Sequence, residues 1–431
     1  MSETGAEAEV ADLCRDLIRL DSSNPTSTER KAAEYVAEKL AEVGVEPTIL
    51  ESEPGRASVV GRISGTDSSR GALLIHGHLD VVPADAADWQ VDPFSGEIRD
   101  GCVWGRGAVD MKDMDAMTLA VLRQRLREGR PPPRDVVVAF VADEEAGGRY
   151  GAQWLARHHA GLFEACTEAI SEVGGFSLTV HDDLRLYLIE TAQKGMAWIR
   201  LTATGSAGHG SMVNDDNAVT ALCEAVSRVG RHTFPVHLTP TVRTFLTQVT
   251  DALGIELDLD DPQRAVDQLG PIARMVGATL RNTVNPTQLE AGYKVNVIPQ
   301  NATAHLDGRF LPGYEEDFER ELDDVLGSGV QREYIHHDIA LETDFDGELV
   351  DAMAAALKAE DRGARPVPYC LSGGTDAKSF STLGIRCFGF SPLRLPPELD
   401  FTAMFHGVDE RVPVDALRFG VRVLDRFLDG C

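Results

Sequence analysis

The sequence predicts an α/β protein: a mainly parallel sheet covered by helices forms one domain, and a ferredoxin-like α+β domain is inserted into it. Three observations lead there. Helical and strand-like patterns alternate through the N-terminal part of the chain. The strand-like segments in that part are continuously apolar, as expected of parallel strands covered on both faces. From about Lys194 onward the strands instead alternate apolar and polar residues, as expected of a sheet with one open face. A length of 431 residues exceeds the size at which one hydrophobic core usually splits. The expected division is residues 1–194 and 339–431 for the sheet domain and 195–338 for the insertion.

The elements follow in order. Val10, Leu13, Cys14, Leu17 and Ile18 recur at helical spacing. A second helix is expected after a Thr26-x-x-Glu29 capping box, burying Ala33, Val36, Ala37 and Leu40 and stopping near Gly44. Strands are expected at 57–63 and 72–79. A strand-like segment runs from Gly105 to Asp110. The helix after it carries Met114, Met117, Val121, Leu122 and Leu126 on one face, where core packing explains the methionines. Val136–Ala142 and 168–172 complete the first set of strands.

The insertion opens with the alternating strand 196–204, then a helix over 216–229. Strands near 288–297 and 303–310 and a helix over 314–326 follow, in the β-α-β-β-α-β order of a ferredoxin-like sandwich. Residues 232–277, rich in Pro, Gly and Asp, read as an irregular helical insertion. The chain then returns to the first domain with a helix at 349–359, strands at 367–371 and 387–390, and a last helix at 413–428.

Composition excludes several function classes. Hydrophobic residues make up 43% and charged residues 26% of the chain, which is ordinary globular material. A formal charge of -28 argues against nucleic acid or an anionic membrane as partner, because both need basic patches. No apolar run has the length of a membrane span. The first residues, Met1 to Glu7, lack a basic and an apolar region of the secretory kind. Seven cysteines form no C-x-x-C pair and read as reduced thiols, so a cytoplasmic protein is expected.

The chemistry lies at strand ends. In open α/β sheets functional groups collect where strands terminate at their carboxyl ends, and His78, Asp110, Glu144, Glu145 and Glu172 fall there. Taken singly, each has an ordinary explanation: a structural His-x-Asp, a helix cap, a solvated acidic loop, a surface acid. Their joint placement argues for a cation, because grouped carboxylates at a buried sheet are costly without one. Zinc binds imidazole nitrogen and carboxylate oxygen, and paired ions about 3.5–4 Å apart need a bridging carboxylate. His78 and Glu172 suit one ion, Glu145 and a later histidine the other, with Asp110 between them. The later histidine is His406, where Gly407 would let the backbone turn and expose the ring. Asp80, two residues from His78 on the same strand face, is expected to accept the other ring N–H. Glu144 then remains as general base for a water bridging the two ions. Adjacent strand residues point to opposite sides, which would separate the roles of Glu144 and Glu145.

These segments together resemble a known family. His78-Leu79-Asp80-Val81-Val82-Pro83, Gly105 to Lys112, Asp143-Glu144-Glu145 and His406-Gly407 are similar to the di-zinc metallohydrolases that include acetylornithine deacetylase, succinyl-diaminopimelate desuccinylase, aminoacylase, dipeptidases and glutamate carboxypeptidase. The resemblance implies two zinc ions per chain, with cobalt or manganese as substitutes. It implies hydrolysis of an amide bond next to an amino acid, a lid domain that mediates homodimerisation, and a cis peptide at Asp110-Met111. The metal ligands carry over as His78, Asp110, Glu145, Glu172 and His406, the orienting acid as Asp80, the base as Glu144.

By the same resemblance, His209 in the lid would donate to the oxyanion of the tetrahedral intermediate in the partner's site. Asn296 and Arg309 would hold a substrate carboxylate. The loop with Gly373, Gly374, Thr375 and Lys378 would close over the substrate end. Asp376 replaces the serine common in the desuccinylases, and Lys378 an arginine of peptidase-like relatives. The loop therefore leans toward carboxypeptidases and acyl-amino-acid hydrolases. The expected substrate is a dipeptide or N-acyl amino acid; a biosynthetic deacylase is the alternative.

Overall fold

A computed structural model describes residues 5–181, 183–256, 258, 261–268 and 276–431. The expectation for the extreme N-terminus, and parts of that for 232–277, lie outside the described residues. The chain forms two compact units. One comprises Met1–Thr191, Thr343–Tyr369 and Thr375–Cys431, the other Ala192–Glu342 with Cys370–Gly374.

The first unit is built on a mixed sheet ordered Thr48–Glu53, Arg56–Ile63, Val136–Val141, Ala72–His78, Cys166–Ser171, Arg386–Gly389 and Leu184–Gln193. The four central strands, from Val136–Val141 to Arg386–Gly389, pair in parallel, and the flanking strands are antiparallel. Every residue of Ala72–His78 and Val136–Val141 is buried, as expected of largely apolar strands covered on both faces. Helices Ala6–Ile18, Lys112–Arg127 and Val414–Gly430 pack against one another, turning Val10, Leu13, Leu17, Met114, Met117, Val121, Leu417 and Leu424 inward. The α/β class and its mainly parallel centre are as expected.

Two local expectations fail. The second helix begins at Arg30 with no side-chain cap, so Thr26 and Glu29 form no capping box; Glu29 instead pairs with Arg56 in the interior. Gly105–Asp110 is a series of turns, not a strand. Two glycines and an arginine in this stretch favour turning over sheet pairing, and both glycines, Gly105 and Gly107, have positive φ, 147° and 89°.

In the second unit, strands Gly195–Thr204, Thr283–Ala291, Asn301–Phe310 and Gln331–Asp338 form an antiparallel sheet. Its spatial order is second, third, first, fourth, with helices Ala218–Arg231 and Glu315–Leu326 in the β-α-β-β-α-β sequence order. Ile199 and Leu201 from the first strand meet Leu222, Ala225, Phe318 and Leu322 from the helices in one apolar cluster. Asn217 caps the first helix by accepting from the Val219 and Thr220 N–H groups. Within 232–277 the described residues include helices Pro240–Leu253 and Pro262–Asp267. No helix among the described residues is long and apolar enough to cross a membrane.

Candidate metal centre

Three neighbouring parallel strands deliver the donors. Ala72–His78 ends in His78, Val136–Val141 runs on to Glu144-Glu145, and Cys166–Ser171 leads into Glu172. Asp110 arrives from the turns before helix Lys112–Arg127, and His406 from the segment before Arg411–Pro413. Two groups result, His78 with Asp110 and Glu172, and Asp110 with Glu145 and His406. Asp110 belongs to both. Its Oδ1 lies 3.0 Å from His78 Nε2 and its Oδ2 3.3 Å from His406 Nε2. Glu172 Oε2 is 3.5 Å from His78 Nε2, and Glu145 Oε2 is 3.0 Å from His406 Nε2. All five sequence-predicted ligands therefore converge.

The donor chemistry fits cations. His78 Nδ1 is 2.9 Å from the Asp80 carbonyl oxygen, so Nδ1 carries a hydrogen, and Nε2 is turned toward two carboxylate oxygens. Acceptor would face acceptor unless a proton or metal ion lies between. Glu145 Oε1 is buried with no hydrogen-bond partner among the described residues. Hydrogen bonds to Asp110 and then Glu145 push His406 up to about 10, so the ring holds a proton where the acids need a positive charge. Burial raises Asp110, but hydrogen bonds from His406 and His78 outweigh it and hold it below the carboxylate range. Burial likewise lifts Glu172 to about 7.

Glu144 stands in neither group. Burial, then the charge of Glu172, pushes its carboxyl well above the ordinary range, a property suited to accepting a proton near neutral pH. Glu144 and Glu145 occupy a single 3-10 turn, Glu144–Ala146, so strand alternation does not separate them. A left-handed Asp143, φ 69°, starts the turn. Asp80 holds it: its fully buried carboxylate accepts the N–H of Glu144 at 3.0 Å and of Glu145 at 3.1 Å, and Asn24 Nδ2 at 3.0 Å.

The expected role of Asp80 is corrected in its atoms. The His78 ring bonds to the Asp80 main-chain oxygen, while Oδ1 stays 3.6 Å away. The strand ends at His78, and the turn that follows swings the carbonyl to the ring and frees the carboxylate for the acidic turn. The role given to Gly407 also changes. The left-handed residue is His406 itself, φ 57°, and Gly407 is required because a Cβ would come within 2.7 Å of the Ala403 oxygen. Val173, directly after Glu172, is left-handed as well, φ 54°. Left-handed Asp143, Val173 and His406 are each costly for a non-glycine residue, and each lies at or within two residues of a candidate metal ligand. The Asp110-Met111 peptide is cis.

Sequence reasoning missed Asn24, which joins Asp80 to Asp143 through its amide, and Glu410. It also gave Asp376 no role, although that carboxylate is buried with Oδ2 unpartnered among the described residues. The only available signals were an Asn before Pro25 and an acid four residues past His406, neither distinctive.

The expected substrate-side residues divide between the units. In the second unit, His209 is exposed and its Nδ1 accepts from the Ser211 N–H at 3.3 Å, which places the ring hydrogen on Nε2. Strand Gly208–His209 pairs with Val297–Ile298, and Asn296 beside it is exposed. The Arg309 guanidinium is gripped along one edge by Asp307, Nε–Oδ1 2.7 Å and Nη2–Oδ2 3.1 Å. Gly373 and Gly374 belong to this unit, Thr375 and Lys378 to the first. The Thr375 hydroxyl accepts from the Ala377 N–H at 3.2 Å, and the Lys378 side chain is enclosed, 2% exposed.

An α/β sheet whose parallel strand ends gather two histidine–carboxylate groups around one shared aspartate defines a candidate metallohydrolase. Residues 74–430 match the model of Peptidase family M20/M25/M40. The chain belongs to that family and is a hydrolase acting on amide bonds. It is 27% identical to aminoacylase-1 of Sus scrofa over 440 aligned positions, covering 99% of this chain and 97% of that one. An N-fatty-acyl-amino acid synthase/hydrolase of Xenopus tropicalis is 26% identical over 418 positions, 92% of this chain and 80% of that one. Its fold is shared with the M20 family metallo-carboxypeptidase Sso-CP2 of Sulfolobus solfataricus, at TM-score 0.74 and 20% identity, over 97% and 98% of the two chains.

Proposed function

We propose that the protein hydrolyses the amide bond of an N-acyl amino acid or dipeptide with a free carboxylate, with two zinc ions held by His78, Asp110, Glu145, Glu172 and His406. One observation carries this reading: two ligand groups share Asp110 and leave Glu144 unligated beside them. Bound zinc would supply Lewis acidity that polarises the scissile carbonyl and makes water easier to deprotonate. Glu144 takes a proton from the attacking water, the oxygen adds to the carbonyl carbon, and Glu144 returns the proton to the nitrogen as the C–N bond breaks. The products are a carboxylate and an amine. Asp80 and Asn24 keep the turn of Glu144 and Glu145 in place from below.

Two relatives named for acyl-amino-acid chemistry favour N-acyl amino acids as the substrate class. Arg309 and Asn296 take the substrate carboxylate. Asp307 occupies one edge of the guanidinium, which leaves the terminal fork for a second carboxylate. His209 offers Nε2–H to a developing oxyanion. Met212, Val213, Tyr293 and Val295, all exposed, flank His209 and Asn296 along the chain and form the apolar contact of a homodimer.

A substrate panel on the zinc-loaded protein tests this, with release of amine followed by ninhydrin. N-acetyl-L-methionine and apolar dipeptides are expected to be hydrolysed and N-acetylmethionine amide to be spared. Preference for N-acetylornithine or N-succinyl-diaminopimelate over all of these would overturn it. Light scattering on the same sample should give twice the 46.7 kDa chain mass; a monomer would remove the partner role of His209.

A further inference from the structure

Glu410 lies four residues beyond His406, and its side chain is fully buried. Its Oε1 accepts the N–H of Val109 at 2.7 Å and of Asp110 at 3.1 Å. Its Oε2 accepts Arg106 Nη1 at 2.8 Å. Its main-chain oxygen accepts the Gly105 N–H at 2.9 Å. Arg106 is itself 4% exposed and sits over the Trp89 ring. One residue of the His406 segment therefore grips the Gly105–Asp110 turn at four points.

We propose that Glu410 is a positioning residue that couples the two turn-borne ligands, fixing Asp110 relative to His406 so that their shared cation position is formed in advance. His78, Glu145 and Glu172 end or closely follow strands of the sheet, but Asp110 and His406 come from turns that follow none of its parallel strands. Glu410 supplies the missing link. A carboxylate is required because only an acceptor-only group can receive two main-chain N–H groups and a guanidinium together; a glutamine would turn its NH2 toward Arg106. Ion pairs this deeply buried are weak sources of stability, and their best-attested use is to specify one arrangement.

The proposal rests on the two-ion reading above, and its test separates the two. Zinc and cobalt affinities of the metal-free protein are measured by competition against a chromophoric chelator, for wild type, Glu410→Gln, Glu410→Asp and the control Asp361→Asn. Asp361 is also a buried carboxylate, paired with Arg185 and Tyr187 in the same unit, but it contacts no ligand segment. In Glu410→Gln the affinity for one of the two ions should fall about 10–100-fold, as for other residues that orient metal ligands. Glu410→Asp keeps the charge for Arg106 but is too short to reach both N–H groups, so it should fall in the same direction. Asp361→Asn should lower the melting temperature and leave both affinities unchanged. Wild-type affinities in folded Glu410→Gln and Glu410→Asp would overturn the proposal and leave the two-ion reading standing. A wild-type protein that binds fewer than two ions would overturn both.

Discussion

In the first unit the carboxylates of Asp110, Glu145 and Glu172 are enclosed by strand ends and held against two histidines, and Asp80 and Glu410 brace them from behind. In the second unit His209 and Asn296 stand exposed, and Arg309 finds its counter-charge only two residues away in Asp307. The first arrangement has an excess of negative charge that its own side chains do not neutralise. The second is locally neutral and open. A buried cluster of acids costs free energy unless a cation completes it, so the first unit is organised around a ligand of fixed charge and position. A half-buried, self-paired arginine costs little in the free protein and can be recruited when a substrate arrives.

That contrast predicts effects of different size. Asp110→Asn strikes the residue common to both ligand groups, so turnover should be abolished and metal content should fall below one ion per chain by elemental analysis. Two tightly held ions in that variant would break the contrast, since the first unit would then not depend on its shared acid. Arg309→Lys changes only the second unit. It should raise KM for N-acetyl-L-methionine about tenfold with kcat little changed, because lysine lacks the two-pronged fork. Metal content should stay as in wild type. A loss of metal in Arg309→Lys would show that the two units are not energetically separate.

The same contrast explains how much the sequence revealed. Strands such as Ala72–His78 and Val136–Val141 were legible because burial on both faces demands mostly apolar runs, and their ends led directly to His78, Glu144 and Glu145. The topology of the second unit was legible for the complementary reason, since one open face imposes alternation on Gly195–Thr204. Turns were less legible. Gly105–Asp110 looks like a strand by its apolar residues, yet glycine conformations decide it. The roles of Glu144 and Glu145 are separated by a turn that Asp80 holds, not by strand alternation. Asn24 acts through side-chain bonds to Asp80 and Asp143, and Glu410 through main-chain N–H groups; nothing in a sequence announces which carboxylate will be buried against which N–H. Thr26 and Glu29 matched a capping pattern, but Arg56 claims Glu29 from a neighbouring strand, a contact distant in sequence.

The central claim is that Glu144 moves protons while its neighbour Glu145 binds metal. Glu144→Gln tests it most directly, with kcat and metal content measured on one preparation. The account predicts that kcat falls about 10²–10⁴-fold, the usual contribution of a general base, while two ions per chain remain bound. Near-normal turnover in Glu144→Gln, or loss of an ion together with activity, would contradict it.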